Sequence, residues 1–275
     1  MKLSDISTIT AGDLFSRPSH WVAVASVKAF DGDEKFLLLS DDEKQRADSF
    51  KSKKDRACFI IAHALKRYLL SQIINVDPSS LCFSYSDKGK PFCDNDKTLD
   101  FNISHSVDWV VLGVSSIAPI GVDVERADRV IGKKTIAYAL TEQQALTLVG
   151  AADTVEKMML YWTQKEAVSK ALGVGISVGF KNIQCSGEPG TSLAECNEQQ
   201  FLMQSYRTGS AVLSIATLAE APVEVYQLLS WPTNATDADA IQAAGEEVGL
   251  QAGRVTGKKI THPKNSHALL LEKLF

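Results

Sequence analysis

This sequence has no excess of positive charge. Its 29 Lys and Arg stand against 33 Asp and Glu, leaving a net charge of −4. No global basic field is available to hold a nucleic acid, so an anionic ligand would need a local cluster of Lys and Arg. Cysteine is scarce and odd in number. Cys58, Cys82, Cys93, Cys185 and Cys196 include no pair at metal-finger spacing, and they read as reduced thiols of a cytoplasmic protein. Met1 to Thr10 lacks the basic and apolar blocks of a signal peptide. No apolar run approaches the roughly 20 residues of a membrane span. Nor is there a Gly-x4-Gly-Lys-Ser/Thr loop, which excludes the commonest nucleotide-binding device. The expectation is a soluble cytoplasmic protein with neither nucleic acid nor membrane as partner.

The sequence does contain ordinary globular material, 45% hydrophobic and 23% charged over 275 residues. Trp21 to Lys28 reads as a strand, and Ser40 to Phe50 as a polar helix capped by Ser40. Asp55 to Asn75 is a longer helix with Ile61, Leu65, Tyr68, Leu69 and Ile73 on one face. Strands follow near Leu81 to Tyr85, Asp100 to Ser104 and Trp109 to Ser115. After Pro119 the order starts again. A strand at Ile120 to Glu125 precedes helices at Lys133 to Ala139, Glu142 to Val149 and Asp153 to Leu172. Capping boxes open the last two of these helices, at Thr141 and at Asp153. Further strands are expected near Gly179 to Cys185, Gln199 to Arg207 and Ala211 to Leu218. The repeated order predicts an α+β fold of two similar halves, residues 1–117 and 118–231. Residues 232–275 read as a linker-like extension with one short helix and an apolar end at Ala268 to Phe275.

Three clusters carry chemistry. In Gly121-Val122-Asp123-Val124-Glu125 the two carboxylates share one strand face. Such a pair is either a solvated edge or one side of a cation site, since like charges are best tolerated around a cation. In the long helix, Glu166 projects into the stripe of Val155, Met159 and Trp162, with Lys170 one turn on. Glu166 and Lys170 are either an ordinary helix pair at the margin of the stripe or, with Asp123 and Glu125 in the same chain, part of a three-carboxylate magnesium site, which is the expectation. Third, Ser104-His105-Ser106 ends a short strand with several hydrogen-bonding groups together. Basic turns at Lys88-Gly89-Lys90 and Lys51 to Arg56 offer local positive charge.

Taken in order, Gly89-Lys90-Pro91-Phe92, Phe101-Asn102-Ile103-Ser104-His105-Ser106, Gly121-Val122-Asp123-Val124-Glu125 and Trp162 with Lys165, Glu166, Ala167 and Lys170 resemble the Sfp-type phosphopantetheinyl transferases. The resemblance runs from about Ser40 to about Leu228. It implies a pseudo-dimer of two α+β halves in one chain, a monomer with coenzyme A in the cleft between them. It implies Asp123, Glu125 and Glu166 as magnesium ligands, with Glu166 also as base and Lys170 beside the pyrophosphate. Ser104 and His105 would meet the nucleotide end of coenzyme A, His105 and Lys90 near its 3′-phosphate, and Arg56 would be another nucleotide contact. The implied acceptor is a serine of an acyl, peptidyl or aryl carrier protein. Asp41 and Asp42 depart from the family, which often has proline after the residue matching Ser40, and the tail is extra. Three rival readings are another magnesium-dependent nucleotide enzyme, a catalytically silent module that binds carrier proteins, and a structural α+β protein whose carboxylates are solvated. Preference for ATP over coenzyme A would favour the first, and gaps in the acidic set the second.

Overall fold

Each long apolar stripe of the sequence covers one face of a sheet. The computed structural model describes residues 6–8, 20–30, 35–106, 108–208, 210–220, 222–228 and 241–244. The first set of elements is β1 (Ile6–Thr8), β2 (His20–Ser26), α1 (Asp41–Asp48), α2 (Lys53–Ile74), a hairpin of β3 (Phe83–Tyr85) and β4 (Pro91–Cys93), β5 (Asp100–Ser106) and β6 (Trp109–Ser115). The second is β7 (Ile120–Arg126), α3 (Lys133–Ala139), α4 (Glu142–Leu146), α5 (Thr154–Leu172), β8 (Gly190–Cys196), β9 (Gln199–Thr208) and β10 (Ala211–Thr217). β11 (Glu224–Leu228) and β12 (Ile241–Ala244) complete the described chain.

One sheet runs β1-β12-β11-β2-β6-β5 and the other β7-β10-β9-β8. The orders β2-β6-β5 and β7-β10-β9 are the same pattern. In each, the first strand lies beside the last and the last beside the middle one, and a long helix separates first from middle. This is the pair of similar α+β halves expected from the element order. Trp21, Ala23, Phe101 and Leu112 turn one face of the first sheet to Ile61, Leu65 and Leu69 of α2. Val22, Val24 and Val111 on its other face meet Ile120, Val122, Val124, Leu213 and Ile215 of the second sheet. The second sheet's far face carries α5, so the layers run helix, sheet, sheet, helix. α5 lies close because residue 121 is glycine: a Cβ there would fall 2.0 Å from the Ala167 carbonyl oxygen.

α2 is long and apolar enough to cross a membrane by length and composition, yet 67% of that stretch is buried against protein. Its packing on the first sheet accounts for its apolarity.

The expected strand at Gly179 to Cys185 is absent. Short 3-10 turns at Gly175–Val178 and Phe180–Asn182 take its place, with a single bridge from Gln184 to Glu195. Gly179 has φ 73°, which breaks an extended run, and Phe180 turns fully into the core. The strand lies later, at β8, where only Ala194 and Cys196 face inward and the apolar signal is weak. β4 and β11 were not anticipated either. β11 runs parallel to β2 and so adds to the first sheet. The boxes at Ser40 and Thr141 close reciprocally. At Asp153 only half forms, because the Glu156 side chain pairs with Arg207 instead. In the tail, Ile241–Ala244 forms an antiparallel strand on β11. The remainder, including the segment at 268–275, lies outside the described residues.

Glu43 pins α1 to α2. Its carboxylate accepts from the Ser40 amide (3.0 Å), Lys66 Nζ (2.9 Å) and Arg67 Nε (2.5 Å), and His63 Nδ1 lies 2.9 Å away. Burial alone would raise its pKa, but His63, Lys66 and Arg67 together hold it well below the usual carboxylate range. A depressed folded pKa contributes stability above the unfolded value of about 4.5 and loses it as the pH falls further. Glu43→Gln leaves two buried cations uncompensated. It is expected to cost about 3 kcal/mol at neutral pH, read by urea denaturation, and to flatten the stability loss below about pH 4.5.

Candidate active site

Every second side chain of β5 is a small polar group, and these groups face the open edge of β7. Asp100 Oδ2 accepts from the Ile120 amide (2.7 Å), Asn102 Oδ1 from Val122 (2.8 Å) and Ser104 Oγ from Val124 (3.3 Å). Ser106 Oγ completes the series by donating to Glu125 Oε2 (3.1 Å). An edge strand leaves alternate amides without a ladder partner, and a buried amide must find an acceptor. Here side chains take the place of a neighbouring backbone. The two halves are joined by this ladder, and the acidic residues stand on it.

Ser104 also donates to Asp123 Oδ1 (2.9 Å). Lys170 Nζ donates to the same oxygen (2.6 Å), to the Val122 carbonyl (3.2 Å) and to Ser104 Oγ (3.3 Å). Residues 104, 123 and 170 thus come from β5, β7 and α5 and form one hydrogen-bonded group. Asp123 is buried, and its second oxygen, Oδ2, has no partner among the described residues. Glu125 and Glu166 flank it, half-buried. Burial raises the pKa of each, and the charge on Asp123 raises both further. Glu125 is also bound by Arg129, whereas Glu166 accepts no hydrogen bond among the described residues.

Among the described residues, no three His, Cys, Asp or Glu side chains are gathered closely enough to hold a cation unaided. The donor set still fits Mg²⁺. This ion takes one or two carboxylates and completes its six oxygens with water and phosphate rather than with an all-protein cage. Among the described residues, Asp123 Oδ2 is a buried acceptor with no donor, and burial together with the charge on Asp123 pushes the two flanking carboxylates toward protonation. A cation relieves both conditions.

Lys90, Arg56 and His105 stand apart from this group. Lys90 Nζ donates to Asp100 Oδ2 (2.6 Å) and to the carbonyls of Ile120 and Ala171 (both 3.3 Å), so all three of its hydrogens are committed across the junction. Arg56, at the start of α2, donates to Asp48 (3.0 Å) and lies over the Phe36 ring. His105 follows Ser104 on β5 and therefore points to the opposite face, with Phe101 and Ile103. Desolvation holds its pKa below the ordinary imidazole value, and His63 and Lys170 add to this. On α5, Met159 is buried as expected, while Val155 is exposed. Lys165, beside Glu166, turns away into the core. It donates to Gln144 Oε1 and to the carbonyls of Phe180 and Ile183 at 2.7–2.8 Å, with burial lowering its pKa to about 8.

The parts played by Asp100, Asn102, Ser106 and Arg129 were not read from the sequence. The first three carried a signal: polar groups at a period of two in a strand whose intervening Phe101 and Ile103 are apolar.

Two family models match in tandem. Residues 31–117 fit the 4′-phosphopantetheinyl transferase N-terminal model, and residues 119–216 fit the 4′-phosphopantetheinyl transferase superfamily model. The chain belongs to the 4′-phosphopantetheinyl transferase family. Similar proteins include the 4′-phosphopantetheinyl transferase gsp of Aneurinibacillus migulanus, 32% identical across 51% of this chain and 58% of the relative. HetI of Nostoc sp. is 30% identical across 50% of this chain and 61% of the relative. Sfp of Bacillus subtilis is 28% identical across 53% and 65%. The chain thus spans about three fifths of these transferases.

Asn102 is the central rung of the ladder, its side chain accepting from the Val122 amide between the contacts of Asp100 and Ser104. Asn102→Leu strands the Val122 amide without an acceptor and is expected to lower stability by about 1–3 kcal/mol. Urea denaturation measures the loss, and hydrogen exchange at Val122 should accelerate with it. Unchanged stability and exchange would mean that the ladder does not join the halves.

Proposed function

We propose that the chain transfers the 4′-phosphopantetheine arm of coenzyme A to a serine hydroxyl of an acyl, peptidyl or aryl carrier protein, releasing 3′,5′-ADP. The observation that carries this reading is the Ser104–Asp123–Lys170 group at the junction of the halves, with Asp123 Oδ2 unpartnered and Glu125 and Glu166 on either side. Asp123, Glu125 and Glu166 would hold Mg²⁺ together with pyrophosphate oxygens and water. When bound, the ion neutralises charge on the pyrophosphate.

The residues divide the rest of the work. Glu166, free of hydrogen-bond donors, accepts the proton of the carrier serine as its Oγ bonds to the β-phosphorus. The bond from that phosphorus to the bridging oxygen breaks, and the electron pair leaves on the phosphate of 3′,5′-ADP. Lys170 lends positive charge to that departing group. His105 and Arg56 are proposed as contacts for the nucleotide end. Lys90 and Ser104 already spend their donors on protein acceptors, so we propose them as supports of the junction rather than as phosphate ligands. A catalytically silent carrier-binding module is disfavoured, because Asp123, Glu125, Glu166 and Lys170 are all present. We also propose a cytoplasmic monomer. Its five thiols are unbridged, and both sides of the junction come from one chain.

The test is to incubate the protein with coenzyme A, Mg²⁺ and a panel of apo carrier domains, then weigh the carriers intact. One phosphopantetheine mass should appear on a carrier, and should be absent with EDTA or with the carrier serine changed to alanine. Asp123→Ala and Glu166→Gln should abolish transfer while melting cooperatively. Wild-type turnover by either variant would overturn the site. No gain on any carrier, together with no binding of coenzyme A, would overturn the function.

A further inference from the structure

Two of the three acidic residues already hold a cation supplied by the chain itself. Lys170 is paired with Asp123, and Arg129 with Glu125. The two pairs differ in how firmly the cation is committed. Lys170 has three acceptors and rises from a helix packed tightly on Gly121. Arg129 lies in the turn after β7, its side chain is 48% exposed, and among the described residues that side chain bonds to Glu125 alone. The neighbouring Arg126 is turned elsewhere, with its fork on both oxygens of Asp128.

Glu125 consequently has both oxygens engaged, one by Arg129 and one by Ser106. A guanidinium keeps its proton at any working pH, so it vacates a carboxylate only by being displaced. A divalent ion approaching Glu125 must displace it and meets its repulsion as well. An anionic ligand arriving with the ion changes that balance, because it offers the guanidinium a second place to go.

We propose that Arg129 is a built-in competitor for the divalent cation, holding Glu125 until the cation arrives together with the pyrophosphate of the donor. This rests on the reading of Glu125 as a cation ligand. The free protein then binds the ion weakly, and the ion and coenzyme A each strengthen the binding of the other. Arg129 is a positioning residue in this scheme: it sets the order in which the site fills and touches no reacting atom.

Titration of the full chain with Mn²⁺, followed by the electron paramagnetic resonance signal of free Mn²⁺ with and without coenzyme A, tests this directly. Arg129→Gln should bind Mn²⁺ alone about tenfold more tightly than the wild type and show a correspondingly smaller enhancement by coenzyme A. Arg126→Gln removes the same charge from the same turn and should behave as wild type. The proposal is overturned if Arg129→Gln leaves Mn²⁺ affinity unchanged while Glu125→Gln weakens it. It is also overturned if Arg126→Gln tightens binding equally, since general charge would then suffice. If neither Glu125→Gln nor Asp123→Asn alters Mn²⁺ binding, the cation-site reading itself fails and takes this proposal with it.

Discussion

The edge of β7 needs acceptors, and β5 supplies them from its side chains. That single requirement organises the molecule. Because Asp100, Asn102 and Ser104 bond to amides at 120, 122 and 124, the two strands run side by side in fixed register. The register places each carboxylate of β7 beside a hydroxyl of β5, Asp123 with Ser104 and Glu125 with Ser106. Lys90 reinforces the same seam from the hairpin, reaching both Ile120 and the end of α5. Gly121 lets α5 close on the strand, which brings Lys170 onto Asp123.

The electrostatics follow from this geometry. Three carboxylates meet on a partly dry seam, where burial and then the charge on Asp123 disfavour the ionisation of Glu125 and Glu166. The chain offsets part of that repulsion with its own cations, Lys170 and Arg129, and this is why no ready-made cage forms among the described residues. Among the described residues, Asp123 Oδ2 is buried without a donor, and Glu166 accepts no hydrogen bond. A buried acceptor without a donor is costly, so its presence points to a positively charged guest.

Much of this was legible in the sequence wherever local periodicity carried it. Alternation along residues 121–125 put Asp123 and Glu125 on one face, and helical spacing linked Glu166 to Lys170. The repeated order of elements predicted the two halves. Signals that depend on partners far along the chain were not legible. The family resemblance implied Ser104 and Lys90 as ligand contacts, and only the fold reveals that Ser104 also bonds to Asp123 and Lys90 to Asp100. β8 was hidden because its buried side chains are only Ala194 and Cys196, while Leu193 is exposed. Phe180 looked like part of a strand until Gly179 and the pull of Lys165 on its carbonyl bent the segment into turns.

We propose that the unpartnered oxygen of Asp123 marks the cation position at the seam between the halves. Crystals grown with Mn²⁺ and coenzyme A, measured at the manganese edge, would decide this. One strong anomalous peak is expected at about 2.1 Å from Asp123 Oδ2, with Glu125 and Glu166 in reach and pyrophosphate oxygens completing the shell. A peak at another acidic cluster, or coenzyme A bound at the seam with Asp123 Oδ2 still unpartnered, would contradict it.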